Sequence, residues 1–189
     1  MHFKKPENRA MHFMPIGPTS DRESSMEARP DESAYVSFYT AYGECFSIWS
    51  GVEVNLLSVY MFLLGSSDYE AATAVFYSTT GFRAKLDMVS AIVSSSKRVA
   101  EEDKEAWSAL NEKISRYSRR RNELAHNTIF FGRLFDSGER KLFIANPQKP
   151  SEGSRLHSHD LLQIQQSFTA VKDELFSFWQ QLISHAQNA

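Results

Sequence analysis

"WSALNEKISRYSRRRNELAH", residues 107–126, is the stretch that decides the fold. Trp107, Leu110, Ile114, Tyr117, Arg121 and Leu124 follow one another at steps of 3, 4, 3, 4 and 3. Such steps keep side chains on one side of a 3.6-residue helix, so a helix with a narrow apolar stripe is predicted over about 100–127. One member of that stripe is charged. Arg121 fills a slot its neighbours fill with Trp, Leu, Ile, Tyr and Leu, and a guanidinium on a packed face needs a carboxylate, a phosphate or water. Arg116, Arg119 and Arg120 lie off the stripe and read as a solvated basic face, which also suits a helix C-terminus.

The same periodicity recurs on either side. From 33 to 64, Tyr35, Phe38, Tyr42, Phe46 (with Cys45 beside it), Trp49, Val52, Leu56, Val59, Tyr60 and Leu63 predict a long helix. Gly65 then serves as terminator and Ser67 or Asp68 as the next N-cap. A second helix runs to about 94, carrying Ala72, Val75, Phe76, Phe82, Leu86, Val89 and Val93. Thr79-Thr80-Gly81 in its middle is a poor helix stretch that bends or breaks it. The last helix carries Leu161, Ile164, Phe168, Val171, Leu175, Phe178 and Leu182, with Asp160 and Gln163 resembling a capping box at its start.

Between the last two helices, 128–159 breaks period. Two β-prone runs flank Asp136-Ser137-Gly138 and read as a hairpin, and Pro147 and Pro150 end it in a polar loop. Helices with narrow apolar stripes pack as bundles. The expectation is an all-α, four- to five-helix bundle over 33–187, with a small hairpin or irregular insertion at about 128–159. Residues 1–32 hold Pro6, Pro15, Pro18 and Pro30 without periodicity and read as a flexible or loosely packed arm. His2 and His12 lie in it without an assigned role.

Composition narrows the function classes. A net charge of −2 over 189 residues excludes a bulk polycation that binds nucleic acid by charge alone, but leaves room for a local basic stripe. The single cysteine, Cys45, lies in an apolar stretch and reads as a buried, reduced thiol. The start "MHFKKPENRAMHFMPIGP" has no continuous apolar run. "VNLLSVYMFLLG" (54–65) is interrupted by Asn55 and Ser58 and falls short of the roughly 20 apolar residues of a spanning helix. A soluble, cytoplasmic protein with no membrane partner is expected. His157-Ser158-His159-Asp160 has no third ligand group nearby and reads as a polar cap and loop, so neither metal nor cofactor is expected. His185 is expected to be exposed. Glu53 is a charge among Trp49, Val52, Leu56 and Tyr60, a natural partner for Arg121. An inert ion pair and a supporting role at a site stand equally open for it.

His126 follows Arg121 by five residues, about 140° round the helix, and Asn122 shares a face with His126 one turn earlier. A long cation on the seam thus has an amide and an imidazole at its polar edge. Arg121-Asn122-Glu123-Leu124-Ala125-His126 resembles the signature of the HEPN superfamily, in the "RNxxAH" form that many bacterial members carry. The likeness extends over about 33–187 when the helices are counted, leaving the arm and the hairpin outside.

That resemblance implies an all-α domain, a homodimer through the helix at about 100–127, and metal-independent cleavage of single-stranded RNA. Arg121, Asn122 and His126 would be catalytic, Glu53 supporting, and Arg116, Arg119 and Arg120 able to steer RNA. The products would be a 2′,3′-cyclic phosphate and a 5′-OH end. A role in a toxin–antitoxin pair or in defence, with an antitoxin or regulatory protein as partner, belongs to the same implication. One departure is visible: toxin members often carry Tyr two residues after the His, where this chain has Thr128. The other function class is a non-catalytic helical dimer that binds nucleotide or a protein partner.

Overall fold

In the computed structural model, which describes residues 31–133, 140–148 and 155–188, the periodic stretches become five helices and one two-stranded ribbon. In chain order these are α1 (Glu32–Leu64), α2 (Tyr69–Ser78), α3 (Phe82–Ser95), α4 (Glu101–His126), β1 (Thr128–Arg133), β2 (Arg140–Ala145) and α5 (Ser158–Asn188). The expected N-terminal arm lies outside the described residues, apart from its last two positions.

Local chemistry sets the breaks. α1 stops where Gly65 takes a φ of 63°, its N–H reaching back to the Met61 and Phe62 carbonyls. A positive φ is open to glycine at little cost, so the chain reverses there. Asp68 caps α2, its carboxylate accepting the Ala71 N–H at 2.9 Å. The predicted second helix is broken rather than bent: Thr79 is extended and Gly81 has a φ of 91°, which divides it into α2 and α3.

The directions of the helices follow from their contacts. The Trp49 ring meets those of Phe82 at 4.8 Å and Phe168 at 4.9 Å, and the Asn55 side chain donates to the Lys172 carbonyl at 2.9 Å. With Glu53 paired to Lys85 further along, α1, α3 and α5 therefore run the same way. α4 runs against them, with Trp107 on Phe178 at 5.3 Å at one end and Tyr42 bonded to the Leu124 carbonyl at the other. Cys45, Val52, Leu56, Leu86, Ile114 and Leu175 are wholly buried where these helices meet. Each such aliphatic side chain contributes about 1.5–3 kcal/mol by leaving water. By length and composition α1 could cross a membrane, having an 18-residue window of mean hydropathy 1.4. In this fold the same apolar residues make it the central helix of the core.

Three expectations change. Tyr35 and Val75 are 45% and 53% exposed, because among the described residues no helix packs over the first turns of α1 or that side of α2. α5 begins at Ser158, two residues before Asp160. Asp160 is therefore no N-cap; from the first turn its carboxylate reaches back to accept the His157 N–H at 2.7 Å. The hairpin is also more than an excursion from the bundle. β1 and β2 pair antiparallel from Thr128↔Ala145 to Arg133↔Arg140, and Leu142, Phe143 and Ile144 of β2 are buried. Ile144 and Leu156 exchange N–H···O bonds of 2.9 and 3.0 Å, tying β2 to the entry of α5. The predicted turn at Asp136-Ser137-Gly138, and Pro150, lie outside the described residues.

Candidate functional site

The C-terminal turns of α4 pack against the N-terminal half of α1, and this contact positions Arg121. The Tyr42 hydroxyl donates to the Leu124 carbonyl at 3.2 Å, and the Arg121 guanidinium lies 5.7 Å from the Phe46 ring centroid. The stripe that makes α4 amphipathic therefore carries Arg121 onto an aromatic face. Burial, and secondarily the nearby Cys45 thiol, push the Tyr42 phenol up from its ordinary range, with the Arg121 charge opposing them. The phenol keeps its proton and stays a donor.

Arg121 is half-buried and has no counter-charge among the described residues. Its Nη1 donates to the Asn122 Oδ1 at a long 3.4 Å, and its Nε is buried with no hydrogen-bond partner. Among the described residues no carboxylate pairs with it. The partnership expected with Glu53 is not formed. Glu53 instead pairs with Lys85 of α3, whose ammonium also lies over the Tyr77 ring at 4.4 Å and the Phe76 ring at 5.2 Å. The reason is geometric: Glu53 lies seven residues beyond Phe46, about 10 Å along α1, where α3 covers the helix.

Asn122 and His126 are both exposed, and His126 is the last residue of α4. The Asn127 N–H closes the helix on the Glu123 carbonyl at 3.1 Å. The structure thus brings Arg121 and Asn122 into contact. His126 sits one turn further on, with no hydrogen bond to either. What one chain presents is a cation free of any described counter-charge, an amide, and an accessible imidazole along one end of a helix.

Arg116, Arg119 and Arg120 are exposed on another side of α4. They line a cavity of about 360 Å³ between α4 and α5, together with Glu123, Asp160 and Gln163. Arg120 is paired with Glu123 at 2.7 Å, and Arg116 lies over its neighbour Tyr117 at 5.1 Å. Arg121 is not among the residues that line this cavity. Around the helix, Arg120 and Asn122 flank Arg121 at about 100° on opposite sides.

One buried polar constellation escaped the sequence. Asp103, 1% exposed in the first turn of α4, accepts from the Gln181 amide at 2.7 Å and faces His185 Nδ1 at 2.9 Å. His185, expected to be simply exposed, has one ring nitrogen engaged in this way. The signal was available: Asp103 is four residues before Trp107 and extends the stripe by one slot. No group of three or more metal-ligating side chains occurs among the described residues.

The fold and these contacts define the class: an all-α bundle with a small antiparallel hairpin between its last two helices. No family model, curated protein or solved structure matches the chain.

Proposed function

We propose that the protein is a metal-independent endoribonuclease of HEPN type, acting as a homodimer through α4. The observation that carries this reading is Arg121: a cation held on a packed seam, against a ring and beside an amide, with no described carboxylate to neutralise it. Holding a charge there is costly unless an anion arrives. His126, exposed at the helix end within the same "RNELAH" stretch, supplies the acid–base group.

The chemistry needs little else. An imidazole takes the proton of a ribose 2′-OH, and the freed oxygen attacks the adjacent phosphorus. The P–O5′ bond breaks, and a second proton goes to the leaving 5′ oxygen. The products are a 2′,3′-cyclic phosphate and a 5′-OH end. Arg121 stabilises the charge that accumulates on the phosphorane, and Asn122 hydrogen-bonds a phosphate oxygen. Two copies of α4 facing each other across a two-fold axis supply two imidazoles, one for each proton transfer. The Arg116, Arg119 and Arg120 face steers the strand toward them. A cytoplasmic toxin or defence effector, restrained by an antitoxin or regulatory protein, fits this activity.

The test is incubation of the purified chain with single-stranded RNA in EDTA, comparing wild type with Arg121→Ala and His126→Ala. Cleavage with cyclic-phosphate ends in wild type alone is expected. RNA or nucleotide retained but never cut would instead favour a binding module, and a monomer in sedimentation at micromolar concentration would remove the composite site.

A further inference from the structure

At the opposite end of the bundle from His126, the last turn of α1, the first turn of α4 and the last turns of α5 enclose a groove of about 610 Å³. That size lies within the range of small-molecule sites. We propose that it binds a single-chain amphipathic carboxylate, with the alkyl chain along the groove and the head group at Arg98.

The groove exists because its elements part company there. Gly65 turns the chain away from the end of α1, while α5 continues to Asn188. Met61, Phe62, Leu63, Trp179, Leu182 and Ile183 are left as its apolar wall. An apolar wall selects a hydrocarbon without naming the head group, and the polar groups at the rim supply that choice. Arg98 is exposed at the lip, its backbone N–H bound to the Ser96 hydroxyl at 3.2 Å. Among the described residues its guanidinium has no carboxylate partner.

The one acid in the wall is already saturated. Asp103 keeps its charge, but it is 1% exposed and turned to the Gln181 amide and His185 Nδ1, and it forms no described ion pair with Arg98. Its bond to Nδ1 leaves His185 Nε2 as the ring's remaining polar atom. The charge exposed at the lip is therefore that of Arg98, and it sits beside an apolar trough, which is the complement of a fatty carboxylate.

Trp179 makes the test direct, because Trp49 and Trp107 are each only 3% exposed and Trp179 alone lines the groove. The full chain is titrated with decanoate below its micelle concentration, following tryptophan fluorescence, with decanol as the uncharged control. A saturable change is expected. Arg98→Gln should weaken decanoate at least five-fold and leave decanol unchanged, and Ala186→Phe, at an exposed position lining the groove, should weaken both. Circular dichroism confirms that each variant is folded. No saturable response, or equal decanoate affinity in wild type and Arg98→Gln, overturns the proposal. So does self-association that Ala186→Phe abolishes, since the groove would then be covered by a second copy.

Discussion

The Arg121 guanidinium stands 5.7 Å from the centre of the Phe46 ring, on the buried seam between α4 and α1. Such a contact is worth about 0.5–1 kcal/mol, far less than a buried ion pair loses when one partner is removed. Arg121→Met keeps the stem and its packing while removing the charge. Urea denaturation should therefore shift by no more than about 1 kcal/mol. RNA cleavage should fall by about 100-fold or more, the scale of losing one preorganised charge-stabilising donor. A loss of stability above about 3 kcal/mol would make Arg121 a structural residue.

Glu53 and Lys85 form the ion pair of the core, with side chains 26% and 8% exposed. Glu53→Gln leaves the ammonium buried without its counter-charge and should cost about 2–4 kcal/mol, toward the low end because Glu53 is partly wet. Glu53→Leu combined with Lys85→Met should recover most of that in chemical denaturation. The RNA cleavage rate per folded molecule should be unchanged in either variant, since the two charged groups pair with each other and neither has a described bond to α4.

Burial, and secondarily Glu44, push the Cys45 thiol up to about 11 from an ordinary 9.0. The folded chain holds the thiol proton more tightly than the unfolded one. Its contribution to stability is therefore full below about pH 9 and lost as the pH rises through about 11. Urea midpoints measured from pH 8 to 11 should fall across that window. Burial raises the Tyr42 and Tyr77 phenols too, which deepens the fall in the same direction. At pH 8 the native thiol should resist iodoacetamide and react once the chain is unfolded.

Gly81 has a φ of 91°, and a Cβ added there would meet nothing within 4 Å. Gly81→Ala is thus a purely backbone perturbation and should cost about 1–3 kcal/mol by denaturation. Ala at the uncrowded Gly43, in mid-helix, should be neutral or slightly stabilising by the same measurement. A cost at Gly43 equal to that at Gly81 would remove the conformational explanation.

Much of the bundle was legible because it is written in local chemistry. The stepping of Trp107 through Leu124, the Gly65 stop, the Asp68 cap and the Thr79–Gly81 break depend on neighbours in sequence, and each appears in the fold. Partner choice does not depend on them. Nothing local says that α3 rather than α4 covers Glu53, or that Asp103 meets His185 across 82 residues. The cap at Asp160 slipped because the bridge between Ile144 and Leu156 fixes where the chain enters α5. At the candidate site, the seam position of Arg121 could be read from its spacing. Its ring contact with Phe46 could not, because that depends on the register between α1 and α4.

The most direct measurement is end-group analysis of a labelled single-stranded RNA incubated in EDTA with wild type and with His126→Ala. Wild type should yield fragments ending in 2′,3′-cyclic phosphate and 5′-OH, and His126→Ala should yield none. Equal background from both proteins, with no cyclic-phosphate ends, would contradict the ribonuclease assignment.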